Sequence, residues 1–145
     1  MVWITSSSFA GNTAGITGGI GLINASLQVD NSVAFGNVPN ELTGPGSVLV
    51  EFSCIEAWSG GGTGNIASCD PLFVDMNGPD DIPGTVDDDL RLAVGSAAVN
   101  VGDPTRLPAD SLDSDGDLDI QEALATDLDG NARENGVLDM GAYEQ

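Results

Sequence analysis

The apolar positions in the first third of the chain alternate with polar ones, and the alternation comes back. Val2–Asn12, VWITSSSFAGN, aligns with Leu27–Asn37, LQVDNSVAFGN, at an offset of 25 residues. Val2 falls on Leu27, Ile4 on Val29, and the pair Gly11-Asn12 on Gly36-Asn37. A third run, Ser47–Glu56, sets Val48, Val50, Phe52 and Cys54 at the two-residue period of a half-buried strand. Gly-rich stretches, GITGGIG, TGPGS and SGGGTGN, separate the runs. One strand pattern repeated at a fixed distance, with Gly and Asn turns, predicts a solenoid. Each coil cannot bury its own apolar face and must stack on the next. The connections are too long for tight hairpins, which counts against the alternative, an antiparallel β-sandwich.

The pattern changes in the second half. Residues 75–89, DMNGPDDIPGTVDDD, read as a long loop. Leu90–Val94 and Val137–Glu144 read as late strands, the second closing the domain. Asp119–Thr126, DIQEALAT, is the one stretch able to form about two helical turns. The chain therefore divides into repeated coils over 1–74 and, over 75–145, further coils and acidic loops that close the same domain.

Charge sharpens this division. The chain has 145 residues, 23 acidic and 3 basic, for a formal net charge of −20. Its only cationic side chains are Arg91, Arg106 and Arg133, and residues 1–50 hold only Asp30 and Glu41 as acids. Such a charge opposes binding to nucleic acid or to an anionic membrane surface and favours cations as partners. With no His and no Lys, a Ser-His-Asp triad, a His-based metal site and a Schiff base are all excluded. The three Arg fall in or near the C-terminal loops, away from the repeated coils. No apolar run approaches membrane-spanning length, so no insertion is expected. The start, MVWITSSSFAGN, lacks the basic and apolar regions of a signal peptide and runs directly into a strand. The chain thus reads as the C-terminal piece of a longer protein, or as one whose targeting segment has been removed.

Three segments carry a family resemblance: CIEAWSGGGTGNIASCDPLFVD, DDIPGTVDDDLRLAVGSAAVNVGD and DLDGNARENGVLDMGAYEQ. The most specific parts are Asp70–Asp75, Leu90–Ser96 and Asp139–Glu144. They resemble the C-terminal part of bacterial right-handed parallel β-helix repeat proteins of the choice-of-anchor Q, polymorphic outer-membrane-repeat-like type. The resemblance implies an all-β, right-handed parallel β-helix that is extracellular or on a bacterial cell surface.

The densest chemistry is SLDSDGDLDIQE, Ser111–Glu122. An EF-hand-type calcium loop puts oxygen ligands at its first, third, fifth, seventh, ninth and twelfth positions, with Gly at the sixth. Here these are Ser111, Asp113, Asp115, Asp117 through its carbonyl, Asp119 and Glu122, with Gly116 at the bend. Ser111 stands where an Asp is expected, and Asp110 or a neighbouring loop is the substitute. Fainter copies of the motif are Asp127, Asp129 and Asn131, and Asp75 with Asn77, which Asp80, Asp81 and Asp87–Asp89 could complete. Ca²⁺ is the expected ion, while Asp and Asn before Gly are also ordinary turn residues.

Cys54 and Cys69 are the only cysteines. In a secreted chain the pair reads as a disulfide, with two buried thiols as the rival. Of the aromatics able to stack on sugar, Trp58 is better placed than Trp3 or Tyr143. Trp3, near the chain start, is expected to pack on a preceding or neighbouring coil. The leading functional expectation is a non-catalytic, calcium-stabilised structural or adhesive surface module, binding calcium ions and surface carbohydrate. A carbohydrate-active lyase or hydrolase segment and a self-assembling filament or surface-layer subunit, with another copy as partner, are the alternatives.

Overall fold

A computed structural model describes residues 1–133 and 137–145. The chain is all-β, with ten strands, one 3-10 turn at Pro104–Arg106 and no α-helix among the described residues. The first eight strands are β1 (Val2–Thr5), β2 (Ser8–Ala10), β3 (Ile20–Gly21), β4 (Ala25–Asp30), β5 (Val33–Phe35), β6 (Leu42–Thr43), β7 (Gly46–Glu51) and β8 (Cys54–Ile55). They form three parallel sheets in the orders β1-β4-β7, β2-β5-β8 and β3-β6. Successive passes of the chain visit the sheets in the same sequence.

The register is the one the repeat dictates. Val2 pairs with Leu27 and Ile4 with Val29, and the next pass adds Val48 and Val50. Leu27, Val29 and Val50 are buried with Ile20, Leu22, Ala34 and Ile55 in one apolar cluster between the sheets. Trp3, Gln28 and Leu49 share the alternate register and face outward.

Polar ladders make the corners. The residues after the first sheet, Ser6, Asn31 and Phe52, all take a left-handed φ, 46°, 47° and 46°. The serine that follows each closes the bend. Ser7 Oγ donates to the Thr5 carbonyl, Ser32 Oγ to Asp30 and Ser53 Oγ to Glu51. The same hydroxyls accept from the pass before: Ser7 N–H donates to Ser32 Oγ, and Ser32 N–H to Ser53 Oγ. Asn65 Oδ1 ends the row by accepting from Ser53 N–H. At the second corner Gly11 and Gly36 turn at φ 65° and 70°, a conformation open to Gly at little cost. There the Asn12 N–H and amide donate to Asn37 Oδ1, and Asn37 N–H donates to Glu41. These side chains satisfy backbone groups that no strand reaches, which is why buried polar residues line the turns.

The second half adds no further parallel strand among its described residues. β9 (Phe73–Asp75) and β10 (Asp89–Leu92) pair antiparallel, so 75–145 folds over the stack rather than extending it. Val33 and Cys54 turn away from the inner cluster and bury a second one with Cys69, Leu92, Ala98 and Met140. Met140 N–H donates to the Ala98 carbonyl, Gly141 N–H to Asn31, and Ala142 N–H to Ser8 Oγ. Asn31 and Asp103 exchange two hydrogen bonds, at 2.9 and 2.8 Å.

Four expectations change. The run Ser47–Glu56 is two strands, because the chain turns the corner at Phe52. Asp119–Thr126 is not helical: Asp119 Oδ1 accepts from Gln121 N–H, a local turn that competes with a helix start. Val137–Glu144 is not a strand; Leu138 makes a single bridge to Gly102, and the rest is held by separate backbone bonds to Ala98, Asn31 and Leu128 and by side chains. Arg106 is not remote from the repeated strands. Its Nη1 lies 3.0 Å from Asp30 of β4 and 2.7 Å from Glu51 of β7, and its guanidinium covers the Phe52 ring at 5.4 Å.

Candidate metal centre

The loop 110–122 is a closed omega whose two ends are tied together. Asp110 N–H donates to the Glu122 carbonyl at 2.9 Å and Leu124 N–H to Pro108 at 2.8 Å, with Ala109 and Ala123 bridged antiparallel. This neck brings the first and last acids of the motif side by side. Carboxylate oxygens of Asp110, Asp115 and Glu122 lie within 4.8 Å of one another. A second group, Asp113, Asp115 and Asp117, meets the same limit on the exposed rim.

The inner group differs from the rim in one decisive respect. Asp110 is 1% exposed. Its Oδ2 accepts from Ser114 N–H and Oγ at 2.9 and 2.6 Å, while its Oδ1 is buried with no hydrogen-bond partner. Glu122 Oε1 is likewise buried and unpartnered. A buried carboxylate oxygen without a donor is costly, and three carboxylates at this separation also repel. The Ser114 hydrogen bonds outweigh burial and hold the Asp110 carboxyl below its ordinary range, which keeps it anionic. Burial, then the charges of Asp117, Asp115, Asp119 and Asp110, push Glu122 up. Hard oxygens with unfilled lone pairs could hold a metal ion, and oxygen-only sets suit Ca²⁺ or Mg²⁺ rather than softer metals.

The structure rearranges the expected ligand set. Ser111 belongs to neither group; its N–H donates to Ala109, and Asp110 stands in its place. Asp113 bends at φ 52° and its Oδ1 accepts from Leu118 N–H. Asp117 and Asp119 accept from Asp119 and Gln121 N–H, so the rim is a row of side-chain turns. Ser114 escaped the sequence motif because it is not a ligand but fixes one.

In one fainter copy the carboxylates are occupied by protein donors. Asp127 accepts from the N–H groups of Asp129, Asn131 and Glu144 and from the Asn131 amide. Burial raises its carboxyl, but these bonds win and lower it. Asp129 is bound by Arg91 through Nε and Nη2, at 2.6 and 2.9 Å. Asp75 and Asn77 give carbonyls to Gly78 and Ile82 N–H, with Asp88 closing the loop on Gly84 and Thr85. Neither copy forms a group of three acids among the described residues. Cys54 and Cys69 are joined in a disulfide with Cα atoms 5.4 Å apart. Trp58 packs against the inner cluster and its Nε1 donates to Gly61. Tyr143 lies under Arg91 at 5.2 Å.

Arg133 is the one deeply buried cation, its side chain 2% exposed and paired with Glu144 at 2.7 Å. Burial pushes the Glu144 carboxyl up to about 7, against the pull of the Asp139 N–H and Arg133 and with added push from Asp139 and Asp127. A raised carboxyl favours the fold fully below its unfolded value of about 4.5 and loses that contribution as pH rises through 7. Glu144→Gln should therefore flatten the pH dependence. In urea unfolding from pH 5 to pH 8, the wild type is expected to lose roughly 2 kcal/mol more than the variant. Parallel pH profiles for the two proteins would refute this assignment. No protein family, no curated protein and no solved structure matches the chain in the comparisons made.

Proposed function

We propose that the chain is a non-catalytic right-handed parallel β-helix module of an extracellular or bacterial cell-surface protein, structural or adhesive in role and stabilised by Ca²⁺. The observation that carries the reading is the cradle of Asp110, Asp115 and Glu122, with two buried oxygens lacking any partner. The three parallel sheets, visited in the same order by each pass, support the β-helix. The acidic loops lie in the half that closes over the stack, so an ion there acts on the fold and not on a substrate. Calorimetric titration of EDTA-treated protein tests the reading. One Ca²⁺ is expected at the inner cradle, lost in Asp115→Ala; no heat above dilution would end it.

A second reading has its own observation. β1 is an edge strand, with Val2 51% and Trp3 71% exposed. Unpaired strand edges invite another chain. Self-association through residues 1–12 is the consequence, seen as a sedimentation coefficient that rises with concentration and falls back in Val2→Lys. A monomer at all concentrations would exclude it.

A further inference from the structure

The outward face of β1-β4-β7 carries a feature distinct from its edge. Trp3 is in register with Gln28 and Leu49, on the side opposite the core residues Leu27 and Val29. Its indole stands at the lip of a recess of about 340 Å³ walled by Thr5, Gln28, Asp30, Thr105 and Arg106. That volume lies at the lower end of the range of about 300–1,000 Å³ for small-molecule sites. A strand added along β1 would run in the plane of the sheet and leave this face open.

The polar wall is fixed. Arg106 Nη1 donates to Asp30 Oδ1 at 3.0 Å and its Nε to Asp103 Oδ2 at 3.3 Å. Gln28 Nε2 donates to Asp30 Oδ2 at 2.9 Å. Arg106 Nη2 makes no hydrogen bond among the described residues, so a donor remains. An exposed aromatic face beside oriented planar donors and acceptors matches a sugar ring, which has an apolar face and hydroxyls at its rim. The charge selects among sugars. One guanidinium stands among three carboxylates, Asp30, Glu51 and Asp103, of which Asp30 lines the recess, so the charge around it is net negative and disfavours uronates and sulfated sugars.

We propose that this recess binds one neutral pyranose unit of a glycan, with Trp3 as the platform under the ring. The proposal deepens the adhesive reading above and rests on it. To test it, the full chain in millimolar Ca²⁺ is titrated with cellohexaose and mannohexaose, with hexagalacturonate as the charged probe. Tryptophan fluorescence and calorimetric heat are followed together. At least one neutral hexamer is expected to saturate the protein. Trp3→Ala should weaken binding by roughly tenfold or more, as loss of an aromatic anchor does. Trp3→Phe should retain most of the affinity, and Trp58→Phe should leave it unchanged. Failure of both neutral hexamers to bind, tighter binding of hexagalacturonate, or equal affinity in Trp3→Ala would each overturn the site. A calcium-dependent melting shift that persists in Trp3→Ala shows the variant folded and keeps failure here separate from failure of the calcium module.

Discussion

Calcium is expected to raise the melting temperature of this protein by about 10 °C. A ligand that binds only the folded state stabilises by RT ln(1 + [L]/Kd), about 2.7 kcal/mol at a hundredfold excess over Kd and about 4.1 at a thousandfold. For a domain of this size, each kcal/mol moves the midpoint by about 2–4 °C. The origin is local. Without an ion, Asp110 Oδ1 and Glu122 Oε1 are buried and unpartnered, beside the charge of Asp115. An ion removes the repulsion and fills the lone pairs, and it fastens the neck that Asp110 and Glu122 already close. The variant Glu122→Gln gives a signed test. Glu122 titrates above its ordinary value, so its charge opposes folding at neutral pH. In EDTA the variant should melt at or above the wild type, and in Ca²⁺ below it. Equal melting of wild type in EDTA and in millimolar Ca²⁺ would dismiss the ion.

Removing the disulfide should cost about 3 kcal/mol, the chain-entropy value for a loop of this length; Cys54 and Cys69 are 15 residues apart. The loop it closes contains the Gly-rich stretch SGGGTGN, and that stretch covers the exposed side of the last pass. Phe52 N–H donates to the Thr63 carbonyl at 2.8 Å, Ile66 N–H to Ser53 at 3.1 Å, and the Asn65 amide to Val50 at 2.7 Å. The crosslink thus holds this cover over the end of β7 and the corner that follows it. In the double variant Cys54→Ala, Cys69→Ala, amide exchange should accelerate first at Phe52 and Ile66, ahead of Val29. A urea midpoint within error of the wild type, with unchanged exchange at those amides, would show that the cover holds without it.

What was legible in the sequence was local and periodic. The offset of 25 between Val2–Asn12 and Leu27–Asn37 set the register that pairs Val2 with Leu27 and Ile4 with Val29, because a slip of one residue would turn Leu27 and Val29 away from the core. The ladder of Ser7, Ser32 and Ser53 obeys the same rule and was open to the same reading, but hydroxyls carry no hydrophobic signal. The acidic loop was visible as composition, and its Gly116 as a bend. The tertiary structure alone decided which acids meet. Asp110 faces Glu122 because Ala109 and Ala123 pair across the neck, and no spacing rule for a helix-flanked loop contains that closure. It also decided that Asp129 belongs to Arg91 and Asp127 to the backbone, and that Arg106 clamps two passes, through Asp30, 76 residues away in the chain, and through Glu51. Local pattern fixes how a strand sits on its neighbour, since that contact recurs with every turn of the chain. Single contacts, such as Ser8 with Ala142 across 134 residues, leave no periodic trace, and the buried charges that shape this protein are held by contacts of that kind.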